Sequence, residues 1–154
     1  MHSLEQSSVI ARPAAEVWER AVSEEGINDE LAPILRMTMP PALRGKTVDT
    51  VEVGVPLGRS WILLGRVLPV DYDDLCLAEL EPGRRFLERS QTLSFAVWQH
   101  ERIVEPVAER SCRVSDRLGF ELRPALARVP GAARVACAIV AFLFRHRHRR
   151  LQRA

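Results

Sequence analysis

Residues able to carry proton and anion chemistry stand close together in two neighbouring segments. In Phe95–Val104 the alternation of an extended chain puts Trp98, His100 and Arg102 on one side and Gln99, Glu101 and Ile103 on the other. In Cys112–Leu122, the residues Cys112, Val114, Asp116, Leu118, Phe120 and Leu122 share a side that is apolar except for Asp116. Arg113, Ser115, Arg117 and Glu121 point to water. A carboxylate buried without a partner is very costly, so Asp116 requires one. A turn at Pro106–Arg110 joins the segments and places either Arg102 or His100 opposite it. Arg102 is favoured, because a guanidinium can hold a carboxylate with two bonds. His100 could move a proton or orient a ligand carbonyl, with Asp116 fixing its tautomer or charge. These two are the candidate catalytic residues. The simpler reading of the same polar group is a structural lock on the hairpin register, since buried polar pairs often only specify structure.

Other motifs are weaker. Asp71, Asp73 and Asp74 have no calcium-loop pattern around them and read as a solvated turn. Arg44-Gly45-Lys46-Thr47 ends like a phosphate loop, but Pro40 stands where the first glycine belongs. His146 and His148 are two apart at a charged helix end, hence on different faces, which is poor for joint metal binding. Cys76, Cys112 and Cys137 form no C-x-x-C pair, so zinc and redox motifs fail. Reduced, mostly buried thiols and the lack of a leader pattern in MHSLEQSSVIARP point to the cytoplasm. No catalytic-serine elbow or dinucleotide fingerprint is present, and neither a metal nor a cofactor is expected.

These residues must be held by elements, and the elements can be read in order. Leu4–Ala11 suggests a first strand. Pro13 opens a short helix whose apolar face is Val17, Trp18 and Ala21. Ser23 can cap a second helix with Glu24 and Glu25 in its first turn, ending before Pro33. Arg36–Met39 alternates as a half-buried strand. Pro40–Gly58 is irregular, with strand character in Val48–Val55. Ser60–Val70 reads as a buried strand bent at Gly65. Leu75–Leu80 and Arg85–Ser90 form a hairpin across Glu81–Arg84. Strands met through short turns imply antiparallel pairing. From Pro130 a long helix follows, apolar from Val135 to Phe144 and then basic. A segment apolar nearly all round is normally buried, although one sheet covers only one side. The other side would meet the Pro40–Gly58 loop, the short helices or a second copy in a homodimer.

Length and composition narrow the function classes. The chain has 154 residues, 47% of them apolar, so one domain over 1–154 with its own core is expected. Charge is unevenly spread. Eight Arg and no acid follow Glu121, whereas 14 basic and 20 acidic residues precede that point. The basic end, 144–154, is expected to be solvated or paired with the acidic body. Nucleic acid is disfavoured, because no aromatics are interleaved with the arginines. The apolar run falls short of the about 20 residues that span a bilayer. It also lacks the clean polar face of an interfacial helix, which disfavours membrane contact.

The order of elements, the P-A-A-E-V-W helix start, the W-Q-H-E-R and C-R-V-S-D-R-L-G-F-E-L-R strands and the F-x-R-H-R end resemble the START-like superfamily. This is also called the SRPBCC or polyketide cyclase/dehydrase-like group. The resemblance spans nearly the whole chain. It implies an α+β helix-grip fold, with a curved antiparallel sheet of about seven strands. Two short helices would follow the first strand, and the long C-terminal helix would pack over the sheet. It further implies that a small hydrophobic or amphipathic ligand binds between sheet and helix, with Met37, Met39, Trp61, Trp98, Arg102, Phe120, Ile139 and Phe142 as ligand contacts. Two alternatives stay open: a cyclase or dehydratase acting on a carbonyl substrate, and an interaction protein with a filled core.

Overall fold

The computed structural model describes residues 1–154. Its strands are β1 (His2–Ile10), β2 (Leu35–Met37), β3 (Pro56–Leu64), β4 (Leu68–Glu81), β5 (Arg85–Thr92), β6 (Phe95–Ala108) and β7 (Ser111–Leu122). Its helices are α1 (Ala14–Ala21), α2 (Glu24–Leu31), α3 (Pro124–Ala127) and α4 (Ala132–Arg153). The strands form one curled antiparallel sheet in the order β1-β7-β6-β5-β4-β3-β2. The fold is the helix-grip α+β fold.

The two short helices follow their sequence signals. Val17, Trp18 and Ala21 form the buried face of α1. The Ser23 hydroxyl caps α2 by accepting from the Gly26 N–H at 3.0 Å. Gly26 allows the chain to double back here. A Cβ at this position would lie 1.9 Å from the Arg20 carbonyl oxygen. Trp18 and Val22 then pack with Phe86, Leu77, Val104 and Val114 on the concave face of the sheet.

Three local readings are corrected by the structure. Ser60–Val70 is a hairpin: β3 ends at Leu64, Gly65 takes a positive φ of 64° in the turn, and Leu68 opens β4. The Asp71–Asp74 run is therefore strand, not turn. Val48–Val55 has no strand, because Val48–Thr50 forms a single 3-10 turn. The helix preceding α4, α3, lies in a segment the sequence left unassigned.

Helix α4 shows the largest departure. Val140, Phe144, His148 and Leu151 recur at helical spacing and are buried. They pack where β1, β6 and β7 offer Leu118, Phe120, Leu4 and Trp98. On a second side, Arg147 binds Glu30, Arg150 binds Asp29, and His146 Nε2 bonds the Ala32 carbonyl at 2.7 Å. These contacts tie α2 to the C-terminal half of α4 only. The N-terminal half stays uncovered on this second side, where Val135, Ile139 and Phe142 are 59%, 52% and 44% exposed. Burial on nearly all sides is thus not realised. No helix is long and apolar enough to cross a membrane.

Candidate functional site

The β6–β7 register pairs Arg102 directly with Asp116 and His100 with Leu118. Arg102 donates to both Asp116 oxygens, Nε to Oδ1 and Nη2 to Oδ2, each at 2.8 Å. His100 Nε2 donates to Oδ1 at 2.8 Å, and His148 Nε2 donates to Oδ2 at 2.8 Å. An ionised carboxylate has about four lone-pair sites, so Asp116 is fully occupied. Because it only accepts, both rings carry a proton on Nε2. In the neutral His148 ring, Nδ1 then accepts from the Ser8 hydroxyl at 2.6 Å.

The network extends to the helices. Arg102 Nη1 donates to Glu30 Oε1 at 2.5 Å, and Arg147 donates to Glu30 Oε2 from Nε at 2.9 Å and Nη2 at 2.6 Å. Two guanidinium groups therefore alternate with two carboxylates between α4 and the centre of the sheet. Burial on its own pushes the Asp116 carboxyl up. The charge and bonds of Arg102, then His100, outweigh it and hold Asp116 well below the usual carboxylate range. Glu30 is likewise opposed by burial and held low by Arg102 and Arg147. Burial works against the charge of Arg102, but Asp116 and Glu30 more than restore it, so the group stays ionised.

A second polar strip continues across the concave face. His100 pairs with Glu88 on β5, and His100 Nδ1 lies 3.9 Å from Glu88 Oε2. Ser90 donates to Glu88 Oε1 at 2.8 Å. On β4 and β3, Asp73 pairs with Ser60, and both are buried. Asp73 Oδ1 and Ser60 Oγ have no hydrogen-bond partner. Burial, then the adjacent Glu88 carboxylate, drives Asp73 well above the usual carboxylate range.

The anticipated ligand contacts do not share one wall. Trp98 and Phe120 join His100 and Arg102 on the concave face, where they stack with Phe95 and, for Trp98, with Phe144 of α4. Met37 pairs with Ile62 at the β2 edge. Met39 packs against the Leu43, Leu57 and Leu75 cluster as core filler. Trp61 lies on the outer face of β3. It pairs with Tyr72, and Arg59 sits over both rings, while the adjacent Ser60 points inward. Strand alternation alone puts Trp61 outside. Ile139 and Phe142 occupy the uncovered side of α4, and Phe142 stacks on His146. Two pockets, of about 230 and 340 Å³, open beside Ala32–Arg36 and between β1 and the C-terminal half of α4. Neither is lined by an anticipated ligand contact. No group of three or more His, Cys, Asp or Glu is arranged to hold a metal ion. Cys76, Cys112 and Cys137 are free.

Residues 8–154 match the family described as Domain of unknown function (DUF8410). The chain belongs to that family. No curated protein matches it. Solved structures relate the DUF8410 chain to a wider set by fold. Protein CV1439 from Chromobacterium violaceum is 12% identical with a TM-score of 0.71, covering 99% of this chain and 96% of that one. A START superfamily protein from Mycobacterium smegmatis is 11% identical with a TM-score of 0.70, at coverages of 99% and 95%. The Zhui aromatase/cyclase from Streptomyces sp. R1128 is 15% identical with a TM-score of 0.70, at 98% and 91%. The fold of the DUF8410 chain is therefore START-like. At these identities the likeness concerns architecture alone.

Four of the site's members, Glu30, Glu88, Asp73 and His148, were not read as site residues from the sequence. For His148 the signal exists in the i, i+4, i+8 spacing of Val140, Phe144 and His148, which marks one buried face despite the arginines around it.

Proposed function

We propose that the chain binds a small amphipathic molecule between the N-terminal half of α4 and the concave side of the sheet near β2–β4. The observation that carries this is the exposure of Val135, Ile139 and Phe142 on a helix whose Val140 and Phe144 side is packed on the sheet. Contiguous exposed apolar surface marks a contact site. Met37 and Ile62 pair at the β2 edge of the sheet and supply further apolar surface. The unpartnered Ser60 Oγ and Asp73 Oδ1 supply hydrogen-bonding capacity deeper on the same face of the sheet. Binding would draw on about 25 cal/mol per Å² of apolar surface removed from water, less the ordering cost. Trp98, His100, Arg102, Phe120 and Asp116 shape the wall beneath. The filled-core alternative describes that wall well, since Asp116 has no free acceptor site. It leaves the α4 side chains unexplained.

Titration with Nile red, a neutral apolar fluorophore, tests the reading. Ile139→Asp should weaken binding at least about tenfold. It should move the thermal midpoint little, because exposed positions generally shift stability by less than about 0.5 kcal/mol. Unchanged affinity in that variant would remove α4 from the site.

A second reading, an enzyme of the cyclase or dehydratase kind, is favoured by one specific arrangement. His100 faces Glu88, and Glu88 lies beside Asp73, whose carboxyl burial and that neighbouring carboxylate push well above the usual carboxylate range. Such a run can relay a proton to a carbon next to a carbonyl. The shared fold with an aromatase/cyclase supports this reading without assigning a substrate.

A further inference from the structure

Helix α4 carries four arginines, Arg145, Arg147, Arg149 and Arg150, within six consecutive positions, and they divide into two pairs. Arg147 and Arg150 turn toward α2 and are neutralised by Glu30 and Asp29. Arg145 and Arg149 turn the other way. They line the pocket of about 340 Å³ between α4 and the edge strand β1. These two stand at i and i+4, where like charges repel. No acidic residue and no apolar residue lines that pocket. Its remaining wall includes Gln6, Ser8, His148 and Gln152, all polar side chains. His148 is 2% exposed and is fixed at both ring nitrogens, by Asp116 and by Ser8.

We infer that this pocket is a binding site for a phosphate-type oxyanion, most naturally a phosphomonoester. An anion placed between Arg145 and Arg149 relieves their repulsion and receives charge-assisted bonds from both. Guanidinium forks suit phosphate oxygens geometrically. The amides of Gln6 and Gln152 can complete the shell with further donors. The site is independent of the apolar ligand proposed above, because the two lie on different sides of α4. It also touches the buried network: His148 connects the pocket wall to Asp116, so an occupant would be sensed by the site's central carboxylate.

The test is calorimetric titration of the full chain with inorganic phosphate and with phenyl phosphate at low, constant ionic strength. Histidine side-chain NMR runs in parallel. Saturable binding of one anion per chain is expected, with a shift of the His148 ring signals. The double variant R145Q/R149Q should weaken it at least about tenfold, which is about 1.4 kcal/mol. R134Q, which removes an exposed cation of the same helix outside the pocket, should leave affinity unchanged. Both variants change exposed side chains, and an unaltered thermal midpoint verifies that they fold. Vesicles containing phosphatidic acid distinguish the source of the phosphate. Binding to vesicles that is lost in R145Q/R149Q assigns a lipid headgroup, and binding to phenyl phosphate without vesicle binding assigns a soluble ester. The inference is overturned by the absence of saturable binding up to about 20 mM, far weaker than a millimolar site. It is equally overturned by R134Q weakening binding as much as R145Q/R149Q, or by ring shifts that spare His148.

Discussion

Replacing Asp116 by Asn tests what the buried charges contribute. The side chain is fully buried and accepts four hydrogen bonds, each 2.8 Å long, from Arg102, His100 and His148. The amide that replaces it keeps one acceptor oxygen and turns an N–H₂ group toward two donors. About two of the four bonds are therefore lost, and hydrogen bonds to charged groups contribute about 1.5–3 kcal/mol each. Arg102 retains Glu30 as a counter-ion, which offsets part of this. The expected loss is about 3–5 kcal/mol, as for other buried ion pairs broken on one side. For a chain of this size that lowers the thermal midpoint by about 10 °C. Equilibrium urea unfolding measured from pH 3 to pH 8 is the assay. Asp116 is held below its unfolded value, so its contribution is complete above about pH 4 and fades as pH falls through the depressed native value. The difference between variant and wild type should shrink in the same acid range. A loss below about 1 kcal/mol at neutral pH, or one that does not diminish on acidification, would refute the assignment of the network as the main polar tie of the fold.

The opposite sign is expected at Asp73. Its carboxyl is raised above the unfolded value, so the native state keeps a proton that the unfolded chain releases, and stability falls as pH rises from about 4. Asp73→Asn should therefore stabilise the protein at pH 7.5, by about 1 kcal/mol or about 3 °C in thermal midpoint, and be neutral near pH 4; destabilisation at pH 7.5 would contradict it. Under the enzyme reading, His100→Gln should abolish cyclisation of a linear poly-β-ketone thioester while the variant still binds it. Cyclisation at the wild-type rate would exclude His100 from the chemistry.

The central pair was legible because two regularities agreed. Alternation put Arg102 inward on β6 and Asp116 inward on β7, and the cost of an unpaired carboxylate required that they meet. The observed register brings them opposite, with His100 joining from two residues away. The helix-grip order was legible for a similar reason, since Pro13, Ser23 and Pro33 punctuate α1 and α2 independently of packing. What escaped depended on contacts between distant segments. Glu30 sits on a short acidic helix where solvent exposure is the ordinary outcome; only the approach of Arg102 and Arg147 makes its burial tolerable. Asp73 belongs to an aspartate run that resembles a turn, and its inward side is set by pairing with Ser60. Trp61 misled through its size. An aromatic residue suggests a pocket wall, but here it covers the outer face under Arg59. In α4 the apolar run was visible, whereas the short reach of α2 along it was not.

The tie from Ser8 to His148 has a consequence for how the chain is made. Its two ends are 140 residues apart in sequence. The edge strand β1 also finds its only neighbour in β7, where His2 stands opposite Phe120. At synthesis rates of about 5–20 residues per second, about 7–28 s separate Ser8 from its partner. For most of that interval, until β7 follows, the first strand has no native hydrogen-bonding neighbour, and Asp116 must wait for His148, one of its four donors. Assembly of the sheet's outer edge thus waits until β7 has been made. Until then the first strand presents a row of backbone donors and acceptors with no native partner.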